Sequence, residues 1–154
     1  LKIVHGMFEE IKIKKNFFDL ICCFMTMEHV YDPNKTLFKS YNSLKKGGFI
    51  ALVTHDAENI LHKILGKNSP IIDIEHLQLF SKESIKSALI NSGFVNIKII
   101  SIKNSYHLSY WVSLLPISTK FKKIAQALLK KYLKILNIKL AINVGNIMTI
   151  AEKK

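Results

Sequence analysis

The stretch that most constrains the fold is residues 18–48, FDLICCFMTMEHVYDPNKTLFKSYNSLKKGG. Residues 20–25 carry no charge and no breaker, and the run is short enough for a strand buried on both faces of a parallel sheet. Asp32 is placed to cap a helix by accepting from its free N–H groups, and Pro33 loses no hydrogen bond at the first helical position. Leu37, Tyr41 and Leu44 recur at helical spacing with Phe38 beside them, giving one stripe to face the sheet. Lys45 and Lys46 suit the negative end of a helix dipole, and Gly47 supplies a left-handed residue to stop it. Residues 49–54, FIALVT, read as the next strand. A strand, crossover helix and parallel strand define an α/β fold, whose ligands bind beyond the carboxyl ends of the strands. Glu28 with His29, and His55 with Asp56, fall at two such ends.

The rest of the chain extends this unit. Residues 1–4 read as a short strand, and 7–15 fit either a short helix or a loop. Residues 56–73 form an insertion in which Ile60, Leu61, Ile64 and Leu65 suggest a short amphipathic helix ended by Gly66. Ser81 is a good cap for a helix with Ile85, Ala88 and Leu89 inward and Gly93 at its stop. Residues 96–102 alternate like a strand, and 147–151 read as the last one. Between them, residues 118–140 have the pattern of a basic amphipathic helix or helix pair. Phe121, Ile124, Ala125, Leu128, Leu129, Tyr132, Leu133 and Leu136 form its apolar face, opposed by Lys122, Lys123, Lys130, Lys131 and Lys134.

Composition narrows the function classes. The 154 residues suit one domain with a real core, and 49% hydrophobic content argues against disorder. The net charge of +12 comes from 23 basic residues that are all lysine. Arginine is the usual reader of phosphate and base edges, so its absence argues against sequence-specific nucleic-acid binding. Cys22 and Cys23 are adjacent and point to opposite faces of a strand, which excludes a bridge between them. Free buried thiols suit a cytoplasmic location. No apolar run approaches the roughly 18 residues of a membrane span.

The wording FDLI, MEHVYDP and SYNSLKKGGFIALVT resembles the middle of class I S-adenosylmethionine-dependent methyltransferases, where a Glu-His pair, an Asp-Pro step and a Lys-rich Gly-Gly turn lie between the fourth and fifth strands. EHLQLFSKESIKSALINSGF (75–94) and NVGNIMTIAEK (143–153) are similar to later segments of the same group, in the same order. The resemblance implies a Rossmann-like sheet with strand order 4-5-7-6, its last strand antiparallel, plus an inserted basic helix. It implies S-adenosylmethionine as cofactor, bordered by Met7 and Phe8 near the adenine and by Cys23 and Phe24 at the end of the fourth strand. Many relatives carry an aspartate where Met7 stands, so Met7 keeps only a packing or main-chain role. The family's Gly-rich turn and ribose-binding acid have no counterpart among the glycines at 6, 47, 48, 66, 93 and 145. A fragment or N-terminally truncated copy is therefore expected, organised as 1–56, 57–80, 81–117 and 118–154.

Candidate roles stand beside simpler ones. Glu28 and His29 fit an acid/base pair with His29 as base; they equally fit a backbone cap and a packed histidine. Some quinone-pathway O-methyltransferases use an acid three positions earlier in a metal site; here that position is Met25, and no metal is assigned. His55, His76, Tyr106, His107 and Trp111 are candidate contacts for a small-molecule or lipid-like acceptor, or ordinary surface and packing residues. The segment from Phe121 to Leu140 fits a lid, a peripheral membrane contact or a packed helix. Methyl transfer is the leading expectation. The alternatives are a degenerate module that binds a partner without cofactor, and a basic protein of membrane or RNA surfaces.

Overall fold

The computed structural model describes residues 3–69, 71–114, 118, 121–124, 127–128 and 138–154. Two compact units are distinguished, one of Leu1–Ser101 with Gly145–Lys154 and one of Ile102–Val144. In the first, strand β1 (Phe18–Phe24) leads through helix α1 (Pro33–Ser43) to β2 (Leu44–His55). Short helix α2 (Ile60–Leu65), helix α3 (Lys82–Asn91) and strand β3 (Phe94–His107) follow. Helix α4 (Leu108–Leu114) lies in the second unit, and β4 (Lys139–Lys153) returns the chain to the first.

The four strands are ordered β1-β2-β4-β3. β1 and β2 are parallel, with Leu20 opposite Phe49 and Phe24 opposite Val53. β4 is antiparallel to β2, from Phe49 opposite Glu152 to His55 opposite Asn146. The last strand thus lies between the second and third, the expected arrangement. Local chemistry fixes the helices on this sheet. Asp32 accepts from the Lys35 N–H at 2.9 Å with Pro33 in the first turn of α1. Ser81 and Ser84 close a reciprocal capping box on α3.

Because strand side chains alternate, the sheet has two different faces. On one, Ile50, Leu52, Ile147 and Ala151 are buried with Leu37, Ile85, Leu89 and Phe94, and Ile21, Cys23, Ile97 and Ile99 pack against them. Full burial of each such aliphatic side chain contributes roughly 1.5–3 kcal/mol. On the other face Leu20 and Phe24 are each 55% exposed, beside exposed Cys22 and Phe49. β1 is also the sheet's edge.

Several expectations are corrected here. The run at 20–25 is half-buried on one face, through Ile21 and Cys23, and exposed on the other, because no described layer covers that second face. Cys22 is accordingly exposed and Cys23 half-buried. Ile3 and Val4 are not in a strand, and Leu1 and Lys2 lie outside the described residues; residues 7–15 hold no helix, which is the loop alternative read from the sequence. Helix α1 stops at Ser43, so Lys45 and Lys46 lie on β2, where Lys45 pairs with Asp19 at 2.8 Å. Gly47 does take a left-handed conformation, at φ 73°, but within that strand. Phe38 is exposed rather than on the buried stripe. In α2 the predicted apolar face is split, with Ile60 and Ile64 exposed, Leu61 and Leu65 half-buried and His62 buried. Most of the 118–140 helix lies outside the described residues.

Candidate functional site

The carboxyl end of β1 is shaped by an unusual backbone. Met25 continues the parallel ladder, donating its N–H to Val53 O at 2.8 Å, but turns left-handed at φ 49°. A non-glycine residue rarely adopts that conformation, and such positions concentrate at functional sites. The chain then turns through the His29 N–H to Thr26 O hydrogen bond. Glu28, 1% exposed, accepts the His55 N–H through Oε1 at 2.8 Å, tying this loop to the end of β2. Its Oε2 is buried without a hydrogen-bond partner among the described residues.

A second loop is sewn onto the first. The Leu77 N–H donates to Glu28 O at 2.9 Å, and Gln78 Nε2 donates to the carbonyls of Met27 and Val30. These bonds bring His76 beside His29, with ring centroids 4.8 Å apart. His55 lies 5.6 Å from His76, and His62 6.3 Å from His55. Four of the chain's six histidines therefore meet at the strand ends.

Hydrogen bonds set the ring tautomers. His29 Nδ1 lies 2.9 Å from Glu75 O, and His76 Nδ1 lies 2.7 Å from Ile71 O. A carbonyl can only accept, so both rings donate from Nδ1, and a neutral ring then carries its lone pair on Nε2. His55 Nδ1 meets Asn146 Oδ1 at 2.8 Å, and His62 Nδ1 meets Ser69 Oγ at 2.8 Å. Burial holds the His55 pKa below the ordinary imidazole value, since desolvation disfavours its charged form; the Asn146 contact opposes this. Among the described residues no group of three His, Cys, Asp or Glu side chains is placed to hold a metal ion.

The candidates from sequence are distributed unevenly. Glu28, His29, His55 and His76 form one cluster. Phe24 is exposed at the end of β1, while Cys23 faces the core side, where burial raises its thiol pKa. Met7 is exposed, and Phe8 lies under the Lys39 ammonium on α1, 5.3 Å from ring centre to Nζ. Tyr106, His107 and Trp111 belong to the Ile102–Val144 unit, where Tyr106 stacks on Tyr110 and Trp111. Sequence reading missed His62; the one available signal was a histidine inside an otherwise aliphatic short helix. It also missed Gln78, whose clamp on the first loop has no local signature.

Comparison with known proteins places this geometry. No curated protein sequence matches the chain. A SAM-dependent methyltransferase from Thermotoga maritima superposes with a TM-score of 0.64 at 20% identity, covering 100% of this chain and 65% of the other. A protein from Bacillus halodurans described as a methyltransferase gives 0.63 at 18% identity, covering 99% and 78%. Phosphoethanolamine N-methyltransferase 2 of Haemonchus contortus, solved with S-adenosyl-L-methionine, gives 0.50 at 15% identity, covering 96% and 36%. This chain thus spans just under two thirds of the Thermotoga protein and about a third of the Haemonchus one. The family described as methyltransferase domain matches residues 1–99, well over half the chain and all of its first two strands, so the chain belongs to that family and has the class I, S-adenosylmethionine-dependent methyltransferase fold.

Proposed function

We propose that this chain is the acceptor-side part of an S-adenosylmethionine-dependent methyltransferase acting on a small-molecule or lipid-like acceptor, with His29 as general base. The observation that carries this reading is the convergence of Glu28, His29, His55 and His76 beyond the carboxyl ends of two parallel strands, where α/β sheets bind ligands. When bound, S-adenosylmethionine supplies a methyl group made electrophilic by positively charged sulfur. His29, held by Glu75 O with its Nε2 lone pair outward, accepts the proton that the acceptor's oxygen or nitrogen loses on attack. Glu28 positions the end of β2 through the His55 N–H, and His55 and His76 line the acceptor's approach. Alignment by these fixed groups provides most of the rate, since near-attack geometry is worth several kcal/mol.

The described residues fit only one side of such a cofactor. Exposed Phe24 and Met7 offer apolar surface to an adenine or thioether. Cys23 is turned toward the core side, and no described cluster offers the acidic and glycine-rich contacts its ribose and amino-acid ends require. The open apolar face of Leu20, Phe24 and Phe49 and the free β1 edge support closure by a preceding part of the same polypeptide. The test is calorimetric titration of S-adenosylmethionine into this chain and into a form extended by its upstream coding sequence. Binding by the extended form, with methyl transfer lost in His29→Ala, is expected. Absence of binding to both would leave the partner-binding module as the better account.

A further inference from the structure

We infer that the Ile102–Val144 unit is a docking surface for an anionic lipid bilayer. Residues 102–144 contain eight lysines and no aspartate or glutamate; the other residues carry fifteen lysines against eleven acids. Two thirds of the net positive charge therefore falls within residues 102–144 of the sequence. Lys103, Lys123 and Lys139 are exposed. An acid-free lysine field attracts an anionic surface and repels a second copy of itself.

Apolar groups stand with this charge. Tyr106 and Tyr110 are exposed, with rings 4.5 Å apart, and Trp111 lies 5.4 Å from Tyr106. Trp111 Nε1 donates to Leu140 O at 3.0 Å, and the Leu108 N–H donates to Ile138 O at 3.0 Å, joining the aromatic cluster to β4. Leu140 and Ile142 on β4 and Ile138 just before it are exposed, as are Phe121, Ile124 and Leu128. Tyrosine and tryptophan favour the headgroup level of a bilayer, aliphatic side chains enter the acyl boundary, and lysines reach the phosphates. A nucleic acid would leave the exposed aliphatic residues without a role, and the chain has no arginine for phosphate forks or base edges. This surface is independent of the methyl-transfer reading.

Trp111 is the only tryptophan and so reports directly. The 154-residue chain is mixed with phosphatidylcholine vesicles with and without about 30% phosphatidylserine, and Trp111 emission and its quenching by brominated acyl chains are followed. Expected are a blue shift and quenching on the anionic vesicles only, reversed by about 0.5 M salt. Lys123→Ala with Lys139→Ala lowers partitioning about 30-fold, from roughly fivefold per lysine. Leu140→Ser lowers it about tenfold, whereas Ile90→Ser, on exposed α3 surface of the other unit, leaves it unchanged. Trp111 emission indifferent to both vesicle types would overturn the inference. So would equal binding to neutral vesicles, retention on RNA without quenching by lipid, or self-association that buries Trp111 in the absence of lipid.

Discussion

Replacing Gly145 by alanine tests how tightly the histidine cluster is built. Gly145 lies on β4 at φ 89°, and its carbonyl accepts the Asp56 N–H at 2.6 Å at the end of β2. A Cβ there would collide with His62 Nε2, stand 2.7 Å from His62 Cδ2 and 3.0 Å from Asn59 Cβ. Left-handed backbone costs an alanine about 1–2 kcal/mol. The imidazole must also move, which strains the His62 to Ser69 hydrogen bond and adds about 1–3 kcal/mol in a buried setting. Gly145→Ala is therefore expected to destabilise by roughly 2–5 kcal/mol. Gly47 provides the control. It is left-handed at φ 73° with nothing within 4 Å of an added Cβ, so Gly47→Ala should lose only the backbone part, about 1–2 kcal/mol. Urea unfolding of both variants isolates the steric part, and adding His62→Ala to Gly145→Ala should recover about 1–3 kcal/mol of coupling. Equal losses in Gly145→Ala and Gly47→Ala, with no recovery in the double variant, would refute the packing of His62 beneath β4.

Three further expectations follow from the same structure. Leu89→Ala, at a fully buried position, should cost about 2–5 kcal/mol in urea unfolding, and Ile64→Ala, 75% exposed, less than about 0.5 kcal/mol; similar losses at both sites would contradict the exposed position of Ile64 on α2. Since burial lowers the His55 pKa on folding, the unfolded chain binds that proton first. The His55 contribution to stability is thus full above the ordinary value of about 6.5 and lost as pH falls through it toward the folded pKa. Unfolding midpoints between pH 7 and pH 5 should fall more steeply in the wild type than in His55→Gln, and matching slopes would disprove the shift. Cys22, exposed, should react with a thiol reagent well before Cys23, whose thiol is half-buried with a raised pKa; equal rates would count against a one-faced β1.

The sheet and most of its helices were legible because their signals are local. The Asp32-Pro33 and Ser81 caps satisfy helix ends within three residues, and alternating apolar runs mark the strands whatever lies beside them. The Glu28-His29 and His55 positions were legible for a similar reason, since a strand's carboxyl end is a place in the chain. Burial was less readable. A continuous apolar run such as 20–25 suits two covered faces, but how many faces are covered depends on which neighbours exist. The short helix α2 misled in the same way, because six residues give a periodicity too brief to decide which side faces the core.

What the sequence determined alone is therefore the α/β pattern, the order of its elements and the residues delivered to the strand ends. Each of these follows from backbone geometry and hydrogen bonding within a few residues. Tertiary structure decided the rest: Gln78 and Leu77 clamping a loop about fifty positions away, and four histidines from separate segments meeting at the strand ends. Such contacts join residues far apart in the chain, and their free energy depends on the partner and its distance, neither of which is written at either position alone.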